Sequence, residues 1–144
     1  MSGCLARPEQ LPVFYASAVR VSPAVAWDFL DRYSRSEVHA FSVCVGERQE
    51  GNVRVVTLGD GSEVREENVT VDPERMRAVY TVPGLLGADH HQAEMRVVSD
   101  TDGGAILEWS TDIAPDELAE LLREPYATMF AELVDAVNRH GETD

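Results

Sequence analysis

Two adjacent histidines in "GADHHQAEMRVV", Gly87 to Val98, are the groups in this chain best matched to proton transfer, and the whole sequence holds only four histidines. Imidazole titrates near neutrality, so a histidine in a cavity can serve as acid or base. From His90 to Val98 the even positions His90, Gln92, Glu94 and Arg96 are polar. The odd positions His91, Ala93, Met95 and Val97 are mostly apolar. That alternation is the period of a strand with its odd set on the core. Neighbouring side chains on a strand point to opposite faces, so the pair cannot chelate one metal. His91 goes in and His90 goes out.

The same reasoning sorts the other candidates. In "MRAVYTV" the inner set is Met76, Ala78, Tyr80 and Val82, and in "GAILEWSTDI" it is Ala105, Leu107, Trp109, Thr111 and Ile113. The stretch "EVREENVTV" has valines on both parities. If Val64 faces inward, Glu66, Asn68 and Thr70 follow it; if Val69 and Val71 do, Glu63, Arg65 and Glu67 follow. An inward, desolvated Glu66 would hold its proton more tightly than an ordinary carboxyl and could exchange it with a substrate. Other chemistries find no support. No two histidines have ligand spacing toward a carboxylate. "GDG" at 59–61 lacks the Lys-Ser/Thr of a phosphate loop, and "WST" is no nucleophile elbow.

These side chains need a frame. "FYASAVRV" predicts a strand, and "SPAVAWDFLDRY" predicts a helix with Ser22 as N-cap and Pro23 in its first position. Val25, Phe29 and Leu30 give it an apolar face, flanked by Ala26 and Tyr33. "SRSEVHAF" predicts a second short helical turn. Turn signals at 50–51, 59–61, 72–75, 83–89 and 100–104 divide residues 42–113 into antiparallel hairpins. Leu118, Leu121, Leu122, Met129, Leu133 and Val137 then recur at helical spacing, predicting one long amphipathic helix with a bend at Pro125. The class is α+β: an antiparallel sheet with a helix laid across it, an arrangement that commonly encloses a cavity.

Composition narrows the partners. Acidic residues outnumber basic ones 26 to 12, for a formal charge of −14, which repels phosphate backbones and anionic membranes. Cys4 and Cys44 form no disulfide pattern, and "MSGCLARPEQLP" lacks the marks of a secretion signal. A cytoplasmic domain over 13–140 is expected, with flexible ends at 1–12 and 141–144.

In order along the chain, "VRVSPAVAWDFLDRY", "GNVRVVTLGDGSEVREENVTVD", "MRAVYTV", "GGAILEWSTDIAP" and the closing helix resemble the SRPBCC superfamily of START-like, helix-grip proteins. Within it the chain looks most like the polyketide cyclase/dehydrase branch. The resemblance covers about residues 13–139 and implies six to seven curved strands wrapped around a long C-terminal helix, with a central cavity. It also implies a cofactor-independent cyclase or dehydratase (a lyase or isomerase) of secondary metabolism, as monomer or homodimer, acting on a small hydrophobic, oxygenated molecule. His39, Glu66 and Tyr80 match positions where the branch carries functional residues. Val38, His91 and Met129 depart from its pattern and reshape the pocket. The expected catalytic set is His91 as base, Glu66 as proton donor and Tyr80, or alternatively Asn68, as hydrogen-bond donor to the enolate. His39, Phe41, Asn68, Met95, Trp109 and Met129 are expected against the substrate. A non-catalytic carrier of a lipid or metabolite is the alternative.

Overall fold

The computed structural model describes residues 12–142. Along the chain lie β1 (Val13–Val19), α1 (Pro23–Ser34), β2 (Cys44–Glu50), β3 (Val53–Leu58), β4 (Glu63–Asp72), β5 (Arg77–Thr81), β6 (His90–Ser99), β7 (Ala105–Ala114) and α2 (Asp116–Glu142). The seven strands make one curved antiparallel sheet in the order β1-β7-β6-β5-β4-β3-β2. The two helices pack on one of its faces, which is the helix-grip arrangement.

Local chemistry explains the helix ends. Ser22 Oγ accepts the Val25 backbone N–H at 3.2 Å, and Pro23 follows in the first turn, where a missing N–H costs nothing. Ala26, Trp27, Phe29, Leu30 and Tyr33 are buried beneath α1. The expected second helical turn after α1 does not form. Ser36 takes a left-handed backbone conformation (φ 60°), which stops helical propagation, and the chain runs on irregularly to Cys44.

The long helix is present, continuous through an exposed Pro125, and reaches Glu142, so Gly141 and Glu142 are helical rather than part of a loose tail. Residues 1–11, with Cys4, and residues 143–144 lie outside the described residues. Leu121, expected on the buried face, is 62% exposed, while Phe130 is buried instead. The inward stripe runs through Leu122, Tyr126, Met129, Phe130, Leu133 and Val137, which keeps four of the six expected residues and leaves Leu121 off its edge.

Strand parity holds where it was legible. His91, Ala93, Met95 and Val97 are buried on β6, and Leu107, Trp109, Thr111 and Ile113 on β7. On β4 the competing faces resolve in favour of Val64, Glu66, Asn68 and Thr70, while Val69 and Val71 are exposed. α2 packs chiefly on β1, β7 and α1. The half of the sheet from β3 to β5 is therefore less fully covered by helix, and that is where the interior space opens.

Candidate ligand cavity and acid–base site

The interior cavity measures about 120 Å³. It is lined by Val56 and Leu58 of β3, Val64 and Glu66 of β4, Tyr80 of β5, His91 of β6, Trp109 of β7, and Tyr126 and Met129 of α2. Phe41, Val43, Cys44, Val82 and Leu85 complete it. The lining is mostly apolar, with a few converging polar groups, as small-molecule sites generally are. An apolar cavity of about 150 Å³ accommodates benzene. This one is a little smaller, on the scale of a single ring.

The aromatic wall is a slab of stacked rings. Trp109 lies between Phe41 (centroids 5.7 Å apart, planes 26°) and Tyr126 (4.8 Å, 22°). Trp109 Nε1–H donates to Tyr80 Oη at 3.1 Å. The Tyr80 oxygen is thereby engaged as an acceptor, and its own proton remains to be given to a ligand. Burial, then the nearby Glu66, pushes the Tyr80 phenol well up, so it stays protonated. Burial likewise pushes Tyr126 up to about 12 and the Cys44 thiol up to about 11. Cys44 is thus a poor nucleophile here.

Glu66 is held by a partner that the sequence reading did not single out. Arg54 sits directly across the β3–β4 ladder from it, and Arg54 Nε donates to Glu66 Oε1 at 3.0 Å. Arg54 is 2% exposed; it donates to the Tyr33 carbonyl at 2.7 Å and lies over the Tyr33 ring at 3.8 Å. The guanidinium is fixed on three sides, so the carboxylate it binds is fixed too. Glu66 Oε2 has no protein partner among the described residues. Burial raises the Glu66 pKa, against the lowering pull of Arg54. The result is a desolvated carboxylate with one oxygen anchored and one free.

His91 is buried, and its Nδ1 accepts the Val82 backbone N–H at 2.9 Å. The neutral ring therefore carries its proton on Nε2, which has no protein partner among the described residues. Burial, then His90, lowers the His91 pKa. With Nδ1 occupied and protonation disfavoured, His91 is equipped to donate from Nε2 and ill placed to accept a proton.

This lowered pKa has a consequence for stability. As pH falls below the ordinary imidazole value of about 6.5, the unfolded chain takes up the proton before the folded one does. His91 contributes stability above that value and loses it as pH falls through its depressed folded value. The melting temperature of the wild type is expected to drop more between about pH 7.5 and about pH 5.5 than that of His91→Gln, which keeps an acceptor for Val82 but does not titrate. Parallel profiles in the two proteins would contradict this.

The remaining expected residues divide. Phe41, Trp109 and Met129 line the cavity. Met95 is 1% exposed and belongs to the core beside it, not to its wall. Asn68 faces inward but spends its amide on the Ser34 carbonyl at 2.8 Å, tying β4 to the end of α1. His39 lies on the surface, with Nδ1 3.1 Å from the Glu47 carboxylate, because the helical turn that would have carried it to the mouth does not form. Tyr126 went unread although it falls four residues after Leu122 and three before Met129, on one helix face. Arg54 shares parity with Val56 and Leu58 in "VRVVTL", but Val53 and Val55 compete on the other parity, so its register opposite Glu66 is what marks it. Among the described residues no group of three His, Cys, Asp or Glu side chains could hold a metal ion. No described helix is long and apolar enough to cross a membrane.

A family model described as polyketide cyclase / dehydrase and lipid transport matches residues 13–141. The chain belongs to this family. The polyketide cyclase / dehydrase and lipid transport family lies within the SRPBCC superfamily, in agreement with the resemblance carried by the sequence fragments. Solved structures share the fold at low identity. A Thermobifida fusca protein solved by solution NMR is 22% identical, with a TM-score of 0.73 over 91% of this chain and 93% of its own. XoxI from Bacillus cereus is 16% identical, with a TM-score of 0.71 over 90% and 94%. Norcoclaurine synthase from Thalictrum flavum, in complex with dopamine and hydroxybenzaldehyde, is 17% identical, with a TM-score of 0.62 over 97% and 95%. Among curated proteins none matches.

Proposed function

We propose that this protein takes a small aromatic or polyketide-like carbonyl compound into the interior cavity and catalyses its cyclisation, dehydration or isomerisation without an organic cofactor. The observation that carries this reading is Glu66: a desolvated carboxylate, anchored by Arg54 through one oxygen, sharing an aromatic cavity with two uncommitted donors. Family membership supports it, and so does the likeness to norcoclaurine synthase, a structure that holds two single-ring compounds.

The hydrogen bonds support roles other than those expected from the sequence. His91 was expected to act as base, but its Nδ1 is committed to Val82. Glu66 Oε2 therefore takes the proton from a carbon next to the substrate carbonyl. The electron pair moves onto the carbonyl oxygen, and Tyr80 O–H and His91 Nε2–H stabilise that developing oxyanion. The resulting enol carbon attacks a second carbonyl of the same substrate, or the proton is returned at another carbon and the net change is isomerisation. Glu66, now a carboxylic acid, gives its proton back to the newly formed alkoxide, or to a hydroxyl that leaves as water. The cavity holds the substrate folded for this encounter. We place the reaction in the cytoplasm, with the protein acting as monomer or homodimer.

The rival reading is a carrier, which the family description admits in its reference to lipid transport. A space of about 120 Å³ is well short of the about 300 Å³ or more of sites for larger molecules, which disfavours a long acyl chain and a long polyketide chain alike. Mass spectrometry of a panel of aryl-carbonyl and polyketide-like compounds separates the two. Cyclised isomers, or products lighter by one water, should arise with the wild type and not with Glu66→Gln, and His91→Ala should slow their formation. Compounds recovered unchanged from both proteins, yet retained by both, would establish the carrier instead.

A further inference from the structure

β5 ends at Thr81, opposite Glu67, so the first four residues of β4, Glu63 to Glu66, pair with β3 on one side and with no strand on the other. The sheet has a window there. Its far side is the connection from Val82 to Ala88, where Gly84 (φ 73°), Leu86 (φ 53°) and Gly87 (φ 77°) hold left-handed conformations that swing the chain away from β4. An open groove of about 340 Å³ fills the window, lined by Glu63, Arg65, Glu67, Pro83 and Gly84. It is larger than the interior cavity but shallow and charged, and it lacks the acid–base groups. The two spaces share three wall residues, Val64, Val82 and Leu85. These apolar residues border both spaces.

The charges on the groove are unequal. Glu63 is paired with Arg48 at 2.9 Å and Arg65 with Glu50 at 3.1 Å. Glu67 has no ion-pair or hydrogen-bond partner among the described residues and faces the same groove. The unsatisfied charge is negative, on a chain already strongly acidic.

We propose that the ligand is bipartite: a single ring occupies the interior cavity, and a short chain passes Leu85 through the window to place a cationic group, such as a protonated amine, against Glu67. This rests on the reading of the interior cavity as the ligand site and adds to it the chemical class of the substrate's far end. It also reconciles a small interior space with substrates larger than one ring. Leu85 is the side chain that turns aside as the chain threads past.

Three phenols of similar length test it by calorimetric titration: 4-butylphenol, 4-(3-aminopropyl)phenol and 3-(4-hydroxyphenyl)propionate. The wild type should bind the amine about fivefold more tightly than the neutral phenol, the upper range of an exposed ion pair, and the carboxylate more weakly than either. In Glu67→Gln the amine should fall to the neutral phenol's affinity while the neutral phenol is unchanged. Because Glu67 is an exposed strand residue, the variant keeps the fold, and the unchanged neutral phenol reports that directly. Equal binding of amine and neutral phenol by the wild type, or equal weakening of both by Glu67→Gln, would overturn the bipartite ligand and leave the cavity reading standing. If none of the three binds, the cavity reading fails and this inference falls with it.

Discussion

Replacing Arg54 with methionine is expected to destabilise the protein by about 3 kcal/mol at neutral pH, the lower end for removing one partner of a buried ion pair. Three contacts go together: the 3.0 Å bond to Glu66, the 2.7 Å bond to the Tyr33 carbonyl, and the cation over the Tyr33 ring. Methionine fills much of the volume, so the loss is mainly electrostatic. The penalty has a limit, because an unpaired Glu66 can take up a proton instead of remaining charged in a poorly solvated place. Burial already raises the Glu66 pKa, and removing the cation raises it further. A folded-state pKa above the unfolded value means that protonation favours the folded chain, so the variant recovers stability as pH falls. Urea denaturation of wild type and Arg54→Met at about pH 7.5 and about pH 5 tests this. The stability gap should shrink at the lower pH. A gap that is the same at both, or under about 1 kcal/mol at the higher, would show that the pair does not hold Glu66 in place.

Truncating Trp109 to alanine should cost a comparable or larger amount, about 3–5 kcal/mol, the usual range for a buried tryptophan or phenylalanine. Trp109 is 2% exposed and stacks with Phe41 from the 35–43 connection and with Tyr126 from α2. It therefore joins three parts of the chain: β7, the 35–43 connection and α2. The same change enlarges the cavity and strips Tyr80 of its indole donor. Chemical denaturation measures the stability cost, and binding of naphthol-sized ligands, which the wild type is expected to refuse, measures the gain in space. A loss below about 1.5 kcal/mol would mean that the surrounding rings collapse into the vacated volume, and two-ring ligands should then still be refused.

The sequence carried the frame of this protein further than its site. The Ser22–Pro23 cap, the alternation on β6 and β7 and the helical spacing of α2 are local patterns, and each was legible within its own element. The strand β4 was not, because "EVREENVTV" places valines on both parities, and only its neighbours β3 and β5 decide which face is inner. Arg54 was missed for a related reason. Its meaning comes from register, in that it lies opposite Glu66 across a ladder whose alignment no single strand records. His39 illustrates the reverse: a local helical pattern in "SRSEVHAF" gave way to a left-handed Ser36, and the histidine moved to the surface. For His91 the sequence indicated the inward face but not the tautomer. The role of the ring follows from the Val82 N–H that occupies Nδ1, a contact set by where the loop after β5 begins.

Hydrogen–deuterium exchange at carbon tests most directly the claim that Glu66 takes a proton beside a carbonyl. 4-Hydroxyphenylacetone, a single-ring ketone, would be incubated with the protein in D₂O and its methylene signal followed by proton NMR. Exchange should run faster than buffer alone by about 10²-fold or more with the wild type, and return to the buffer rate with Glu66→Gln. If the ketone binds, as shifts in the Trp109 indole signal would report, yet exchanges at the buffer rate with both proteins, Glu66 is not a base and the cavity only holds its ligand.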